Sequence, residues 1–191
     1  MTEQPKPVRR IVCIDNDEGK SEAIFDGPSP DVRTDPARPG FASTRIWVTD
    51  RTPCCIQGIR ETLQTPHTLK PPAGGSVCRV VTFPPDNVFK GKIAAKEVEA
   101  YFETMGSPGA STYSANAPHP YMQKTRTLDF CLILEGEITL ILDTEEVQLQ
   151  AGDTVVQRGA NHAWSNRSSS PCVIVFSSHD AADIEGEPAY R

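Results

Sequence analysis

Beyond Tyr121 the chain breaks into short apolar runs divided by tight turn signals. Phe130-Cys131-Leu132-Ile133-Leu134 stops at Glu135-Gly136-Glu137, and Ile138 to Leu142 stops at Asp143-Thr144-Glu145-Glu146. Val147 to Gln150 stops at Ala151-Gly152-Asp153, Val155-Val156-Gln157 stops at Gly159, and Cys172 to Phe176 closes the series. Turns recurring at roughly 8–12 residues leave no room for crossover helices. A parallel sheet is therefore excluded, and an antiparallel sandwich or barrel is expected.

Upstream the pattern is looser. Arg10-Ile11-Val12-Cys13-Ile14 reads as a strand with Ala23-Ile24-Phe25 as its partner, and residues 26–42, rich in Pro and Gly, read as a long loop. Ser43 to Thr49 alternates polar and apolar residues, as a half-buried strand does. Residues 52–75 look irregular, and Ser76 to Phe83 is a further strand ended by Pro84-Pro85. One surface helix is expected: Ile93, Ala94, Val98, Tyr101, Phe102 and Met105 share a stripe, and Gly106 stands at the C′ position. The 191 residues suit a single domain. Its expected parts are N-terminal strands, loops and helix over 1–118, a barrel core over 119–180, and a polar tail over 181–191.

Composition narrows the class of partner. Against 19 Lys and Arg stand 25 Asp and Glu, with no basic stripe, which argues against a nucleic-acid backbone. No run of about 18 apolar residues is present to span a membrane, and Met1 to Pro7 lacks the apolar core of a signal peptide. A cytoplasmic location is expected, where Cys13, Cys78, Cys131 and Cys172 are read as reduced core or near-core thiols and Cys54-Cys55 as a loop pair. His67 and His179 are read as ordinary surface histidines. Short open sheet edges and apolar N-terminal strands lead us to expect a homodimer, with those strands exchanged between subunits as one form of it.

The stretch from Thr125 to Asn166 resembles the cupin family. The residues that carry the resemblance are Thr125-Arg126-Thr127-Leu128-Asp129-Phe130, Leu134-Glu135-Gly136-Glu137, Ala151-Gly152-Asp153, and Gly159-Ala160-Asn161-His162-Ala163-Trp164-Ser165-Asn166. Asp129 stands seven residues before Gly136, as the first-motif acid of cupins does, and His162 and Asn166 keep the His-x-x-x-Asn spacing of the second motif. The resemblance implies an all-β, double-sheet jelly-roll barrel, here with extra N-terminal strands and one helix. Arg38 to Phe41, Ile46 to Asp50 and Pro72 to Val77 are similar to a subgroup of stand-alone cupins, some linked to decarboxylation of aromatic polyketide acids. A small organic acid of aromatic or polyketide type is the ligand this implies.

Cupin metals sit on imidazoles and a carboxylate inside the barrel, because Fe, Mn, Zn or Ni prefers neutral nitrogen with anionic oxygen. By spacing from Asp129, the first-motif histidine positions fall on Gln123 and Thr125, or on Met122 and Lys124 in the longer variant of the motif, and neither alignment supplies a histidine. Three readings therefore stand open. A divalent metal could sit on His162, Asp129 and Gln123. A metal-free pair could move protons, with Asp129 orienting the His162 ring and raising its pKa. Or the two could be buried polar groups in a barrel that binds a ligand without reacting it. In each of them Gln123, Thr127 and Trp164 are the expected ligand contacts.

Overall fold

The computed structural model describes residues 5–58 and 60–182. Every strand pairing is antiparallel. β1 (Arg9–Asp15) and β2 (Ser21–Pro28) make a separate hairpin. A six-stranded sheet runs in the order β3 (Val32–Thr34), β4 (Ala42–Thr49), β5 (Ser76–Phe83), β11 (Cys172–Asp180), β6 (Thr127–Glu135), β9 (Thr154–Arg158). Facing it is a three-stranded sheet of β10 (His162–Ser165), β7 (Glu137–Leu142) and β8 (Glu146–Gln150). This is the jelly-roll architecture expected, with the hairpin as its N-terminal addition.

Alternation sets the inner face. Along β5, Val77, Arg79, Val81 and Phe83 are buried while Ser76, Cys78, Val80 and Thr82 are less so. On β6 the inward set is Thr127, Asp129, Cys131 and Ile133. Between the sheets Phe83, Trp164 and Phe176 pack together with Ile138, Leu140 and Ile174, and Trp164 meets Phe176 edge-on at 5.5 Å. The six-stranded sheet draws β3, β4 and β5 from the first half of the chain, so strands ahead of residue 119 are part of the barrel wall.

The helix, α1 (Ala95–Thr104), buries Val98, Tyr101 and Phe102, with Met105 just beyond it. It ends as its sequence dictates. Gly106 adopts φ 58°, the Gly106 N–H donates to the Glu103 carbonyl and the Ser107 N–H to the Phe102 carbonyl. At the other end the Glu97 carboxylate accepts from the Ala94 N–H at 3.0 Å.

Several expectations change. The loop expected over 26–42 is shortened, because β2 runs on to Pro28 and β3 forms at Val32–Thr34. Cys13 is exposed, since its hairpin projects from the barrel; Cys131 and Cys172 are buried and Cys78 half-buried. His67 is buried, 3.3 Å from both Asp31 carboxylate oxygens. The polar tail expected over 181–191 lies, from 183 on, outside the described residues. Among the described residues no helix is long and apolar enough to cross a membrane.

A Cβ at Gly106 would lie 2.0 Å from the His67 carbonyl oxygen, and the left-handed conformation there is itself costly for any L side chain. Gly106→Ala is expected to destabilise the fold by about 2 kcal/mol or more, from strain alone plus displacement of the 67–68 backbone. Urea denaturation of the two proteins measures it.

Candidate functional site

A cavity of about 70 Å³ opens between the two sheets, with Gln123, Thr125, Asp129, His162 and Trp164 on its walls. Phe41, Phe83, Tyr101, Tyr121 and Phe176 give it an aromatic lining, and Arg38, Ser43 and Arg79 add polar groups. One water needs roughly 10–15 Å³ of such space, so the cavity has room for several waters or a small organic molecule.

His162 opens β10. Its Nδ1 lies 2.9 Å from the Ala160 carbonyl oxygen, and a carbonyl only accepts, so Nδ1 carries the proton. Nε2 is then a lone pair, and the Gln123 side-chain N–H donates toward it at 3.4 Å. The two residues are also joined through their backbones, by Gln123 N–H to His162 O at 2.8 Å and His162 N–H to Gln123 O at 2.9 Å. Burial pushes the imidazole pKa below its ordinary value, opposed by the Ala160 carbonyl and by the Asp129 charge. Asp129 does act to raise the pKa, but desolvation outweighs it, and the ring is oriented by Ala160 rather than by Asp129. At neutral pH the group is an unprotonated base.

Asp129 is inward-facing on β6 and buried. Its Oδ2 accepts from the Thr127 hydroxyl at 3.0 Å, which pairs in turn with the Thr125 hydroxyl at 2.8 Å. Asp129 and His162 share the cavity and sense one another's charge, with no direct hydrogen bond between them among the described residues. Trp164 and Gln123 are on the wall as expected, while Thr127 stands behind it with its hydroxyl given to Asp129. Asn166, the last residue of the second motif, is a builder of the turn after β10. Its amide donates to the Phe83 and Ser170 carbonyls, and its N–H and the Ser165 hydroxyl donate to Asp86.

The donor set does not fit a divalent transition metal. His162 supplies one imidazole nitrogen and Asp129 one carboxylate, and Gln123 turns an N–H, not a lone pair, toward the imidazole. Among the described residues no group of three or more His, Cys, Asp or Glu converges. The same cavity also carries two guanidinium groups, which repel a dication.

Those arginines went unnoticed in the sequence. Arg38 is ion-paired with Asp35 at 2.7 Å, and its guanidinium stacks on Phe41, Tyr101 and Tyr121 at 4.0, 4.3 and 3.6 Å. Arg79 donates from Nη2 to the carbonyls of Thr68 and Leu69 at 3.2 and 2.9 Å, while its Nε is buried without a partner. The signal for Arg79 was present: a charged residue at an inward position of an alternating strand. Arg38, in an irregular segment, gave none.

Residues 109–178 match the family model of the cupin domain. Over 66 residues the chain is 44% identical to the phomopsin biosynthesis cluster protein D of Diaporthe leptostromiformis, covering 34% of this chain and 35% of that protein. It is 29% identical over 125 residues to the cupin-domain-containing oxidoreductase virC of Hypocrea virens, covering 63% and 48%. The chain thus spans between a third and a half of the length of these curated relatives. Among solved structures, it is similar to the cupin domain of Schizosaccharomyces pombe Cnp3, with 10% identity, coverage of 90% and 87%, and a TM-score of 0.43. A Cupin 2 conserved barrel domain protein from Salinispora arenicola gives 12% identity, coverage of 79% and 82%, and a TM-score of 0.38.

Burial lowers the pKa of His67 from 6.5 to about 4, and lowers those of His119 and His162 as well. Between 6.5 and about 4 the unfolded chain takes up protons on these histidines that the folded chain refuses. Stability is therefore expected to fall as pH drops through that window. Denaturation midpoints measured across it check the sign.

Proposed function

We propose that this chain, whose residues 109–178 match the family model of the cupin domain, is a cupin whose barrel cavity takes up a small organic acid, aromatic or polyketide in type, with His162 as the base that moves a proton on it. The observation that carries this is the Nε2 lone pair of a neutral, buried imidazole on the cavity wall, met only by a long 3.4 Å contact from the Gln123 side-chain N–H. Asp129 has the role of stabilising the imidazolium that forms on proton uptake, since its charge favours the protonated ring. The aromatic walls match a planar ligand.

Proton abstraction suits this tautomer better than decarboxylation. Loss of carbon dioxide leaves an electron pair on carbon that must receive a proton, and Nε2 has none to give in the neutral state. A biosynthetic setting is supported by relatives named for the phomopsin and oryzines biosynthesis clusters. Non-catalytic binding is the rival reading, and the Gln123 N–H facing Nε2 favours it, because that contact already satisfies the lone pair.

Deuterium exchange separates the two. With aromatic acids bearing an exchangeable C–H in heavy water, the protein is expected to accelerate deuterium uptake, and His162→Ala to lose about 10²-fold or more of that acceleration while remaining folded. Equal rates for the two proteins, with ligand still bound, would leave a binding cupin.

A further inference from the structure

We infer that Arg79 is the carboxylate-recognising residue of this cavity, the fixed cation against which the acid group of the ligand docks. The inference rests on the cavity being the ligand site proposed above, and adds which end of the ligand sits where.

Among the described residues four arginines are almost wholly buried: Arg10 at 3% exposure, Arg38 at 4%, Arg45 at 2% and Arg79 at 4%. Burying a guanidinium without an anion is strongly unfavourable, and three of the four are matched accordingly. Arg10 is paired with Glu61, Arg38 with Asp35 and Arg45 with Asp31. Arg79, among the described residues, has no carboxylate within ion-pairing distance; its bonds go to the carbonyls of Thr68 and Leu69. The charge persists at neutral pH, since burial lowers the pKa only to about 10. Its neighbour across the β4–β5 register is Arg45, a second cation, which sharpens the need for an anion. Asp129 is the acidic group nearest in role, sharing the cavity wall without bonding to Arg79.

The unpaired groups around Arg79 have the same polarity. Arg79 Nε, Arg38 Nη2, Trp164 Nε1 and the Ser43 hydroxyl are all buried, without partners, on residues of the cavity wall. Each has a proton to donate; the acceptors on that wall are Gln123 Oε1, buried without a partner, and the Asp129 carboxylate, whose Oδ2 takes the Thr127 hydroxyl. Such a wall complements a ligand rich in lone pairs and carrying negative charge. Its two guanidinium groups favour a carboxylate over the neutral amide of the same shape. Arg79 on β5 and His162 on β10 belong to opposite sheets. A carboxylate held at Arg79 therefore leaves the rest of the ligand to reach across the cavity toward Nε2.

Benzoate and benzamide differ little in shape and by one charge, and they test the assignment on the full chain by calorimetry. Benzoate is expected to bind at least tenfold more tightly than benzamide, and Arg79→Met to abolish that preference, with Arg79→Lys restoring part of it. A merely structural Arg79 would lower the melting temperature of the variant without changing the benzoate-to-benzamide ratio, and that result would overturn the inference. So would absent benzoate binding, or equal affinity for the two probes in the unmodified protein, a comparison that needs no variant to fold. Equal affinity would leave the cavity as a ligand site intact; loss of the His162-dependent exchange would remove the base while leaving Arg79 untouched.

Discussion

The cavity exists because one buried ion pair holds together segments that the sheets alone would not. Arg38 bonds to Asp35 through Nε, and the Tyr121 hydroxyl donates to the same Asp35 carboxylate at 2.9 Å. The guanidinium plane lies among the rings of Phe41, Tyr101 and Tyr121. In this way the segment before β4, the helix α1 and the approach to β6 meet at a single desolvated point. Cation–π contacts of this kind reach about 2 kcal/mol when water is excluded, and a buried carboxylate–guanidinium bond is weak in net terms but expensive to break from one side. Its value here is geometric. It fixes Tyr101 and Tyr121 as walls and leaves the rest of the interior free to be polar.

The strands were legible because turns are local. Gly136, Gly152 and Gly159 each adopt positive φ at the boundaries where the sequence placed breaks. The Schellman end of α1 was legible for the same reason. Facing was harder to read. Phe130, Leu132 and Leu134 are exposed on the outer face of β6 while Cys131 and Ile133 are buried, so the run reads as continuously apolar and hides its period. Asp129 could be placed inward only by counting from its motif. His67 and Arg38 could not be placed at all. Both lie in irregular segments, 52–75 and 35–41, where no periodicity tells a reader what is buried; Asp31 becomes a neighbour of His67 only through folding, while Asp35 stands three residues before Arg38.

His162 shows how a small backbone contact outweighs a nearby charge. From sequence, the expectation is that a carboxylate sharing the cavity orients the ring and raises its pKa. In the fold the carbonyl two residues earlier takes the Nδ1 proton at 2.9 Å, and desolvation exceeds the pull of Asp129. Asp129 meanwhile spends one oxygen on Thr127. The pair is arranged so that the imidazolium gains stability only when a proton arrives, which is the requirement for a base rather than for a resting ion pair.

A metal site and an anion site ask opposite things of the same wall. A metal needs convergent lone pairs from neutral nitrogen and anionic oxygen; an anion needs convergent N–H and O–H groups. At the two places where cupins carry first-motif histidines, this chain has Gln123, whose N–H is turned to His162, and Thr125, whose hydroxyl is taken by Thr127. On β5 Arg79 supplies a positive charge that, among the described residues, has no carboxylate within ion-pairing distance. The absence of imidazoles at Gln123 and Thr125 and the presence of the Arg79 guanidinium both disfavour a metal and favour an anion. The cations of the cavity are covalently part of the protein, and the donors left unpartnered on Arg38, Arg79, Ser43 and Trp164 suit the oxygens of the anionic ligand we propose.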